Sequence, residues 1–153
     1  MALERRRVEK DHLRALFRLK VAEDQAGLVA PNEITLAQAA YEAGSHVWGL
    51  WEGDTAVGLI AMIHPHEAGG MEEGEDPDAA CIWRLMIGAE YQGKGHDRAA
   101  LDLAIGQGRD WGLPRIALSV VQADNSAIAM YEAAGFRRTG KIIEDEIVLS
   151  RDL

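Results

Sequence analysis

The sequence predicts a mixed α/β fold in which a mostly antiparallel sheet is flanked by helices. Two segments, residues 47–51 and 55–64, are joined by a short turn and predict an antiparallel hairpin. A strand, a glycine-rich turn, a helix and a second strand follow between residues 82 and 121, which predicts a right-handed parallel crossover. Residues 136–142 and 146–149 alternate between apolar and polar and predict a final hairpin.

The first third of the chain predicts one edge strand and two helices. Residues 3–8 alternate weakly, as is typical of an edge strand, and residues 9–20 place Leu13, Leu16 and Phe17 at helical spacing. Residues 21–32 have no clear period and predict a loop. A short helix is expected to begin at Thr35, as its N-terminal cap, and to continue through residue 43, where Gly44 ends it.

Strands and helices alternate over the rest of the chain. Residues 65–77 contain three glycines, two prolines and five acids and predict an acidic loop. Residues 79–87 predict a strand, residues 98–111 a helix with Leu101, Ala104 and Ile105 on its buried face, and residues 115–121 a further strand. A last helix is expected near residues 124–126, with Asn125 as its cap, and Gly135 ends it.

Length and composition predict one domain over residues 1–153. The apolar content of 48% is typical of a globular protein, and no apolar run is long enough to span a membrane. The N-terminal segment has charge but no apolar core, so a secretory signal is not expected. Cys81 is the only cysteine and falls in a predicted strand, which excludes an intrachain disulfide and favours a cytoplasmic location.

The charge is distributed unevenly along the chain. The net charge is −9, and residues 21–83 contain twelve Asp and Glu residues but no Lys or Arg. An anionic surface repels phosphate backbones, so a nucleic acid is not an expected partner. A membrane is not an expected partner either, because no apolar run is long enough to span one. A solvated acidic face is the ordinary interpretation of such a pattern. The complete absence of basic residues over this length favours a cationic small-molecule ligand.

A glycine-rich turn connects the predicted strand at residues 82–87 to the next helix. Gly93 and Gly95 let the main chain approach a ligand closely, and the free amides at a helix start attract an anion. The turn lacks the Gly-Lys-Ser/Thr ending of a phosphate-binding loop. It also lacks the third glycine of a dinucleotide fingerprint, where Arg98 stands instead. An ordinary tight turn is the alternative when this segment is considered alone.

Two motifs together resemble the acyl-CoA-binding core of the GCN5-related N-acetyltransferase (GNAT) superfamily. They are the Gln-Gly-Lys-Gly turn at residues 92–95 and the later pattern of Asn125, Tyr131, Gly135 and Phe136. Residues 19–22, 29–32, 36–39, 84–87 and 91–95 resemble bacterial diamine and polyamine (spermine/spermidine) N-acetyltransferases more narrowly. The resemblance covers essentially the whole chain and implies a single GNAT domain and acetyl-CoA as co-substrate; members of the family are often homodimers, so a homodimer is expected. No metal is expected, because His64 and His66 have no third ligand near them in the sequence.

The resemblance also implies roles for particular residues. The main chain of residues 85–87 would pair with the pantetheine arm, amides of residues 92–98 would bind the pyrophosphate, and Asn125 would contact the cofactor. Tyr131 would lie close to the thioester sulfur. The implied cofactor-binding residues are Leu85, Met86, Ile87, Gln92, Gly93, Lys94, Gly95, His96, Asp97, Arg98, Asn125 and Tyr131.

Two residues of the turn depart from the pattern of the superfamily. Asp97 stands where a small residue is usual, and its carboxylate would be repelled by a pyrophosphate unless it points away. An acidic residue is also favourable in the first turn of a helix, which is the ordinary explanation for Asp97. His96 is interpreted as a surface residue.

Acetyl transfer to an amine requires removal of an amine proton and protonation of the leaving thiolate. A lysine-like amine has a pKa of about 10.4, so a carboxylate must accept its proton at neutral pH. Tyr131 is the predicted general acid, although packing on a core face is its ordinary role. The base is left open among Glu33, Glu42, Glu52, Glu144 and Glu146. Expected substrate-binding carboxylates are Glu23, Asp24, Glu33 and Glu42.

The sequence therefore predicts an N-acetyltransferase that acts on a primary amine of a small cationic substrate, with a polyamine or diamine as the favoured class. Two alternatives remain open. One is acetylation of another amine, such as a peptide N-terminus or an amino acid. The other is a domain that binds acyl-CoA or a protein partner without turnover, for which Asp97 is the motivation.

Overall fold

A seven-stranded mixed sheet is the centre of the computed structural model, which describes residues 2–153 apart from the side chains of Asn125 and Ser126. The spatial order is β1-β2-β3-β4-β5-β7-β6, and only β4 and β5 are parallel neighbours. The mixed, mostly antiparallel class is therefore confirmed. The strands are β1 (Leu3–Arg7), β2 (Ser45–Glu52), β3 (Thr55–Ile63), β4 (Ala79–Ile87), β5 (Arg115–Val121), β6 (Arg137–Ile143) and β7 (Glu146–Asp152).

Within residues 2–153, four α-helices accompany the sheet. They are α1 (Leu13–Arg18), α2 (Asn32–Ala39), α3 (His96–Asp110) and α4 (Asn125–Ala133). Three short 3₁₀ segments, Lys10–His12, Glu23–Gln25 and Ala89–Tyr91, lie before α1, before α2 and before α3. Over residues 2–153, none of these helices has the length and apolar character needed to cross a bilayer.

The start of α2 differs from the prediction. Pro31 is its N-terminal cap, and its carbonyl accepts hydrogen bonds of 3.0 Å from the amides of Ile34 and Thr35. The prediction of Thr35 as the cap is wrong, because the cap lies four residues earlier, where the Pro31 carbonyl accepts the first hydrogen bonds of the helix. Thr35 is instead 1% exposed inside the helix. The helix ends at Ala39 rather than at residue 43.

The start of α4 also differs by one residue. Asp124 is the cap, because its carboxylate accepts a hydrogen bond of 3.2 Å from the Ala127 amide. The prediction of Asn125 as the cap is therefore wrong, and the side chain of Asn125 lies outside the described part of the chain. Gly135 follows the helix with a φ of +92°, as expected of a residue that ends it.

The buried side chains form two clusters. The larger contains Leu101, Ala104 and Ile105 of α3, which confirms the predicted buried face of that helix. The smaller contains Leu16 of α1. Ile60 and its neighbour Leu59 on β3 belong to the larger and the smaller cluster, respectively, as expected for side chains on opposite faces of a strand. The sheet is thus covered on both faces.

Candidate active site

The parallel strands β4 and β5 pair over only part of their length. Ala79–Cys81 on β4 pair with Arg115–Ala117 on β5, and beyond these residues the two strands diverge. A cavity of about 870 Å³ opens between residues 82–87 of β4 and 118–121 of β5, and we call it the central cleft. Such a gap leaves the backbone edge of β4 available to a ligand that pairs like an added strand.

A bulge in β4 lies at the beginning of this gap. Ala61 and Met62 on β3 pair with Arg84 and Ile82, so Trp83 is the additional residue on β4. A β-bulge bends its strand and increases the local twist, which separates β4 from β5. Leu85, Met86 and Ile87 follow the bulge, pair with β3 on one side, and line the central cleft.

The glycine-rich turn connects β4 to α3 at one end of the cleft. Gly93 and Gly95 have φ values of +76° and +83°, and a Cβ placed on either would meet no atom within 4 Å. The first backbone bond of α3 runs 3.1 Å from the Ala99 amide to the Gly95 carbonyl. The amides just before Ala99 therefore have no acceptor within the helix. Free amides at a helix start can donate hydrogen bonds to an anion.

Gln92 holds the turn against the rest of the site. Its side-chain amide donates hydrogen bonds of 3.0 Å to the Ile87 carbonyl and 2.9 Å to the Gln25 side chain. Lys94 and Arg98 lie on the outside, where Lys94 is 5.9 Å from the Tyr91 ring and Arg98 forms an exposed ion pair with an acid four residues later. The contacts that the structure gives for Lys94 and Arg98 are thus on the surface.

The interpretation of His96 as a surface residue is wrong. Its side chain is buried, with 7% of the residue exposed, and its Nε2 lies 3.4 Å from a carboxylate oxygen of Glu52 at the end of β2. Residue 96 precedes the buried residues Ala100 and Ala104 of α3 at intervals of four, so it lies on their face. The helical spacing of the sequence would have identified it.

Asp97 lines the cleft from the first turn of α3. Desolvation by the surrounding protein raises the pKa of its carboxyl, while the charge of His96 and the Asp97 backbone amide oppose the rise. Asp97 also contributes to a raised pKa at Tyr131, so its charge acts within the cleft. A carboxylate in this position remains the departure from the superfamily pattern that the sequence indicates.

Tyr131 lines the same cleft from α4. Its ring packs on Phe136, with 5.8 Å between the ring centroids, so part of its surface also has the packing role. Burial raises the pKa of its phenol to about 12, and the charges of Asp124 and Asp97 add to the rise. The phenol therefore keeps its proton at neutral pH, which is the form that a general acid requires.

The described lining of the cleft is strongly acidic. Its only basic side chain is Arg84, whose guanidinium donates hydrogen bonds of 2.9 Å to Thr35 and 3.0 Å to Gln38 on α2. Burial lowers the pKa of Arg84, and the charge of Glu146 opposes this. The acidic residues that line the cleft are Glu42, Glu72, Glu75, Asp97, Asp124, Glu144 and Glu146. Among the described residues, no three potential ligands are grouped to hold a metal ion.

The four predicted substrate-binding carboxylates lie in different places. Glu42 lines the cleft, whereas Glu33 lies 3.2 Å from the Lys20 ammonium on the exposed side of α2. Glu23 and Asp24 lie in the 3₁₀ segment beside Gln25, which itself lines the cleft. The role of all four in substrate binding stays a prediction.

Sequence reasoning did not select several acids that the fold brings to the cleft. Glu72 and Glu75 come from the predicted acidic loop, and the charge of that loop in the sequence could have indicated them as cleft residues. For Asp124, the sequence indicated only a position near the start of a helix. Of the open candidates for the base, Glu42, Glu144 and Glu146 line the cleft, whereas Glu33 and Glu52 are outside its lining and paired with Lys20 and His96.

A mixed sheet with a splayed parallel pair, followed by a glycine turn and a helix with free amides, is the arrangement that the resemblance to the acyltransferase class implies. The comparison with protein families agrees with this class. Residues 11–136 match the model of the acetyltransferase (GNAT) family, and the chain belongs to that family.

Curated relatives match only parts of their own length. A probable N-acetyltransferase family 8 member 5 of Mus musculus is 33% identical over 44% of the chain and 30% of its own length. N-acetyltransferase family 8 member 2 of Rattus norvegicus is 22% identical over 84% of the chain and 54% of its own length. The chain thus spans about half or less of these proteins.

Solved structures support the fold over the whole chain. The PaiA N-acetyltransferase of Thermoplasma acidophilum, solved with coenzyme A, has a TM-score of 0.70 at 17% identity and covers 100% of both chains. The ribosomal-protein-S18-alanine N-acetyltransferase of Escherichia coli has a TM-score of 0.68 at 21% identity, over 98% of this chain and 93% of that one. At these identities the likeness shows the fold alone.

Proposed function

We propose that the chain transfers an acetyl group from acetyl-CoA to a primary amine of a small cationic substrate, with polyamines and diamines as the favoured class. The observation that carries this proposal is the acidic lining of the central cleft, in which seven carboxylates and one arginine lie beside the free edge of β4. A cleft lined by one sign of charge concentrates ligands of the opposite sign. An ammonium-bearing substrate fits that field.

The residues at the turn and on β4 fit acetyl-CoA. Backbone groups of Leu85, Met86 and Ile87 are proposed to bind its pantetheine arm, and the amides between Gln92 and Arg98 its pyrophosphate. The open space around Gly93 and Gly95 supports this arrangement. Acetyl-CoA supplies an acetyl thioester whose sulfur leaves as a thiol. The likeness to a structure solved with coenzyme A is consistent with the proposal.

Tyr131 is proposed as the general acid that protonates the leaving sulfur. Its place in the cleft and the burial that raises its pKa to about 12 support this role. Asn125 is proposed to contact the cofactor beside α4. Glu42, with Glu23, Asp24 and Glu33, is proposed to attract the cationic substrate. A homodimer and a cytoplasmic location are proposed from the resemblance and from the single cysteine.

A second candidate is acetylation of a peptide N-terminus. The ribosomal-protein-S18-alanine N-acetyltransferase of E. coli resembles this chain in fold. A free α-amino group is also a cation at neutral pH. A third candidate is a domain that binds acyl-CoA without turnover, favoured by the carboxylate of Asp97 in the first turn of α3.

Release of free thiol from acetyl-CoA distinguishes these candidates. Spermidine, spermine, diamines, free amino acids and short peptides with N-terminal alanine would be compared as acceptors, with acetyl-CoA binding measured by calorimetry. We expect the polyamines and diamines to give the highest kcat/KM. Turnover with peptides alone would support the second candidate and reject the polyamine class. Binding of acetyl-CoA without thiol release from any acceptor would reject the enzyme and support the third.

A further inference from the structure

We propose that Glu146 is the general base that removes the proton from the substrate ammonium, and that Ser119 positions it. The inference rests on the proposed N-acetyltransferase activity. It concerns a step for which the sequence left five carboxylates open. The structure separates them by their partners, their exposure and their position relative to the central cleft.

Glu146 lines the cleft where β5 and β7 pair, and its hydrogen bond to the exposed Ser119 lies on the solvent side. It begins β7, where it pairs with Val121 at the end of β5. Its Oε1 accepts a hydrogen bond of 2.9 Å from the Ser119 hydroxyl, and both side chains line the cleft. Glu146 is half-buried, whereas Glu42 and Glu144 are exposed. A single hydrogen bond fixes one carboxylate oxygen and leaves the other able to accept a proton.

The charge of Glu146 acts across the cleft. Arg84 lies on β4, where hydrogen bonds to Thr35 and Gln38 hold its guanidinium. The charge of Glu146 raises the pKa of Arg84 against the effect of burial, so the two charged groups interact, and both line the central cleft. A substrate amine in the central cleft would lie near Glu146, with Tyr131 on α4 lining the same cavity.

The other carboxylates are less suited to act as the general base, because of their partners or their positions. Glu33 pairs with Lys20, and Glu52 with His96, both outside the cleft lining. Asp124 is used as the cap of α4. Glu75 accepts a hydrogen bond of 3.2 Å from a backbone amide of the acidic loop. Asp97 lies in the first turn of α3, beside the amides proposed for the pyrophosphate.

The proposed step balances in protons. Glu146 accepts one proton from the ammonium, directly or through water, and the freed nitrogen forms a bond to the acetyl carbon while the carbon–sulfur bond breaks. Tyr131 gives its phenolic proton to the sulfur. The second proton of the nitrogen returns through water to Tyr131, and Glu146 releases its proton to solvent. The products are the acetylated amine, the thiol of coenzyme A and one proton.

The test compares Glu146→Gln with wild type from pH 6.5 to 9.5, using the amine for which the wild type gives the highest turnover. Glutamine keeps an acceptor for Ser119 but cannot take the proton. We expect kcat to fall about 100-fold or more at pH 7, since general bases contribute roughly 10²–10⁴-fold. The deficit should shrink about tenfold for each pH unit as solvent deprotonates the amine. The Kd for acetyl-CoA should not change.

Asp152→Asn is the matched control, because it removes one carboxylate from the other end of β7, outside the cleft lining. We expect it to retain the wild-type rate at every pH. A Glu146→Gln rate within threefold of wild type, or a deficit that stays constant with pH, would overturn the base role while the enzyme stands. Absence of thiol release from the wild type with every amine would instead reject the proposed function, and the base with it.

Discussion

Single residues decide the chemistry that the cleft supports, and Tyr131 is the clearest case. The same side chain packs on Phe136 and reaches the cleft, so packing and catalysis are compatible roles for it. Burial raises the pKa of its phenol from 10.0 to about 12, so the group is a weaker acid than a phenol in water and is protonated at neutral pH. A thiolate leaving beside it would be able to accept the phenolic proton.

Replacement of Tyr131 by phenylalanine tests this role. The change removes only the hydroxyl, so the ring contact with Phe136 is retained and the Kd for acetyl-CoA should stay within about twofold. We expect kcat to fall about 100-fold, as is typical when a general acid is lost. Thiol release and calorimetry measure the two quantities. Tyr41→Phe is the control, because Tyr41 is 93% exposed and a wild-type rate is expected. Full activity in Tyr131→Phe would exclude the acid role.

At the scale of elements, the start of α4 connects stability to the site. The helix places Tyr131 in its second turn, and its first turn depends on the carboxylate of Asp124. Asp124 also lines the cleft and contributes to the raised pKa of Tyr131. One side chain therefore caps the helix and adds to the negative field around the Tyr131 phenol.

The cap can be tested by two substitutions at one position. Asp124→Ala removes the acceptor for the Ala127 amide and is expected to lower the free energy of unfolding by about 1 kcal/mol. Asp124→Asn keeps an acceptor and should cost only a fraction of that. Urea denaturation of the three proteins measures the difference. Equal stability of the alanine and asparagine variants would show that the carboxylate does not cap the helix.

At the scale of the whole molecule, the sequence predicted elements better than it predicted the site. The bounds of β4 and β5 agree with the prediction because both are rich in apolar and β-branched residues and lie between turn residues. The starts of α2 and α4 were missed because a cap depends on one residue's backbone geometry. Glu146 and Ser119 meet only because β7 inserts between β5 and β6, and no local pattern encodes that sheet order.

The pH dependence of stability is a property of the whole fold that follows from two buried groups. Burial raises the pKa of Cys81 from 9.0 and that of Tyr131 from 10.0, each to about 12. Between those values the folded state keeps protons that the unfolded chain loses, so the free energy of unfolding falls as pH rises from about 9 towards 12. Each group contributes a slope of about 1.4 kcal/mol per pH unit once its unfolded form is ionised. Urea denaturation from pH 8 to 11 should show this decline, and Cys81→Ala and Tyr131→Phe should each flatten it; an unchanged slope in both variants would contradict the burial of these groups.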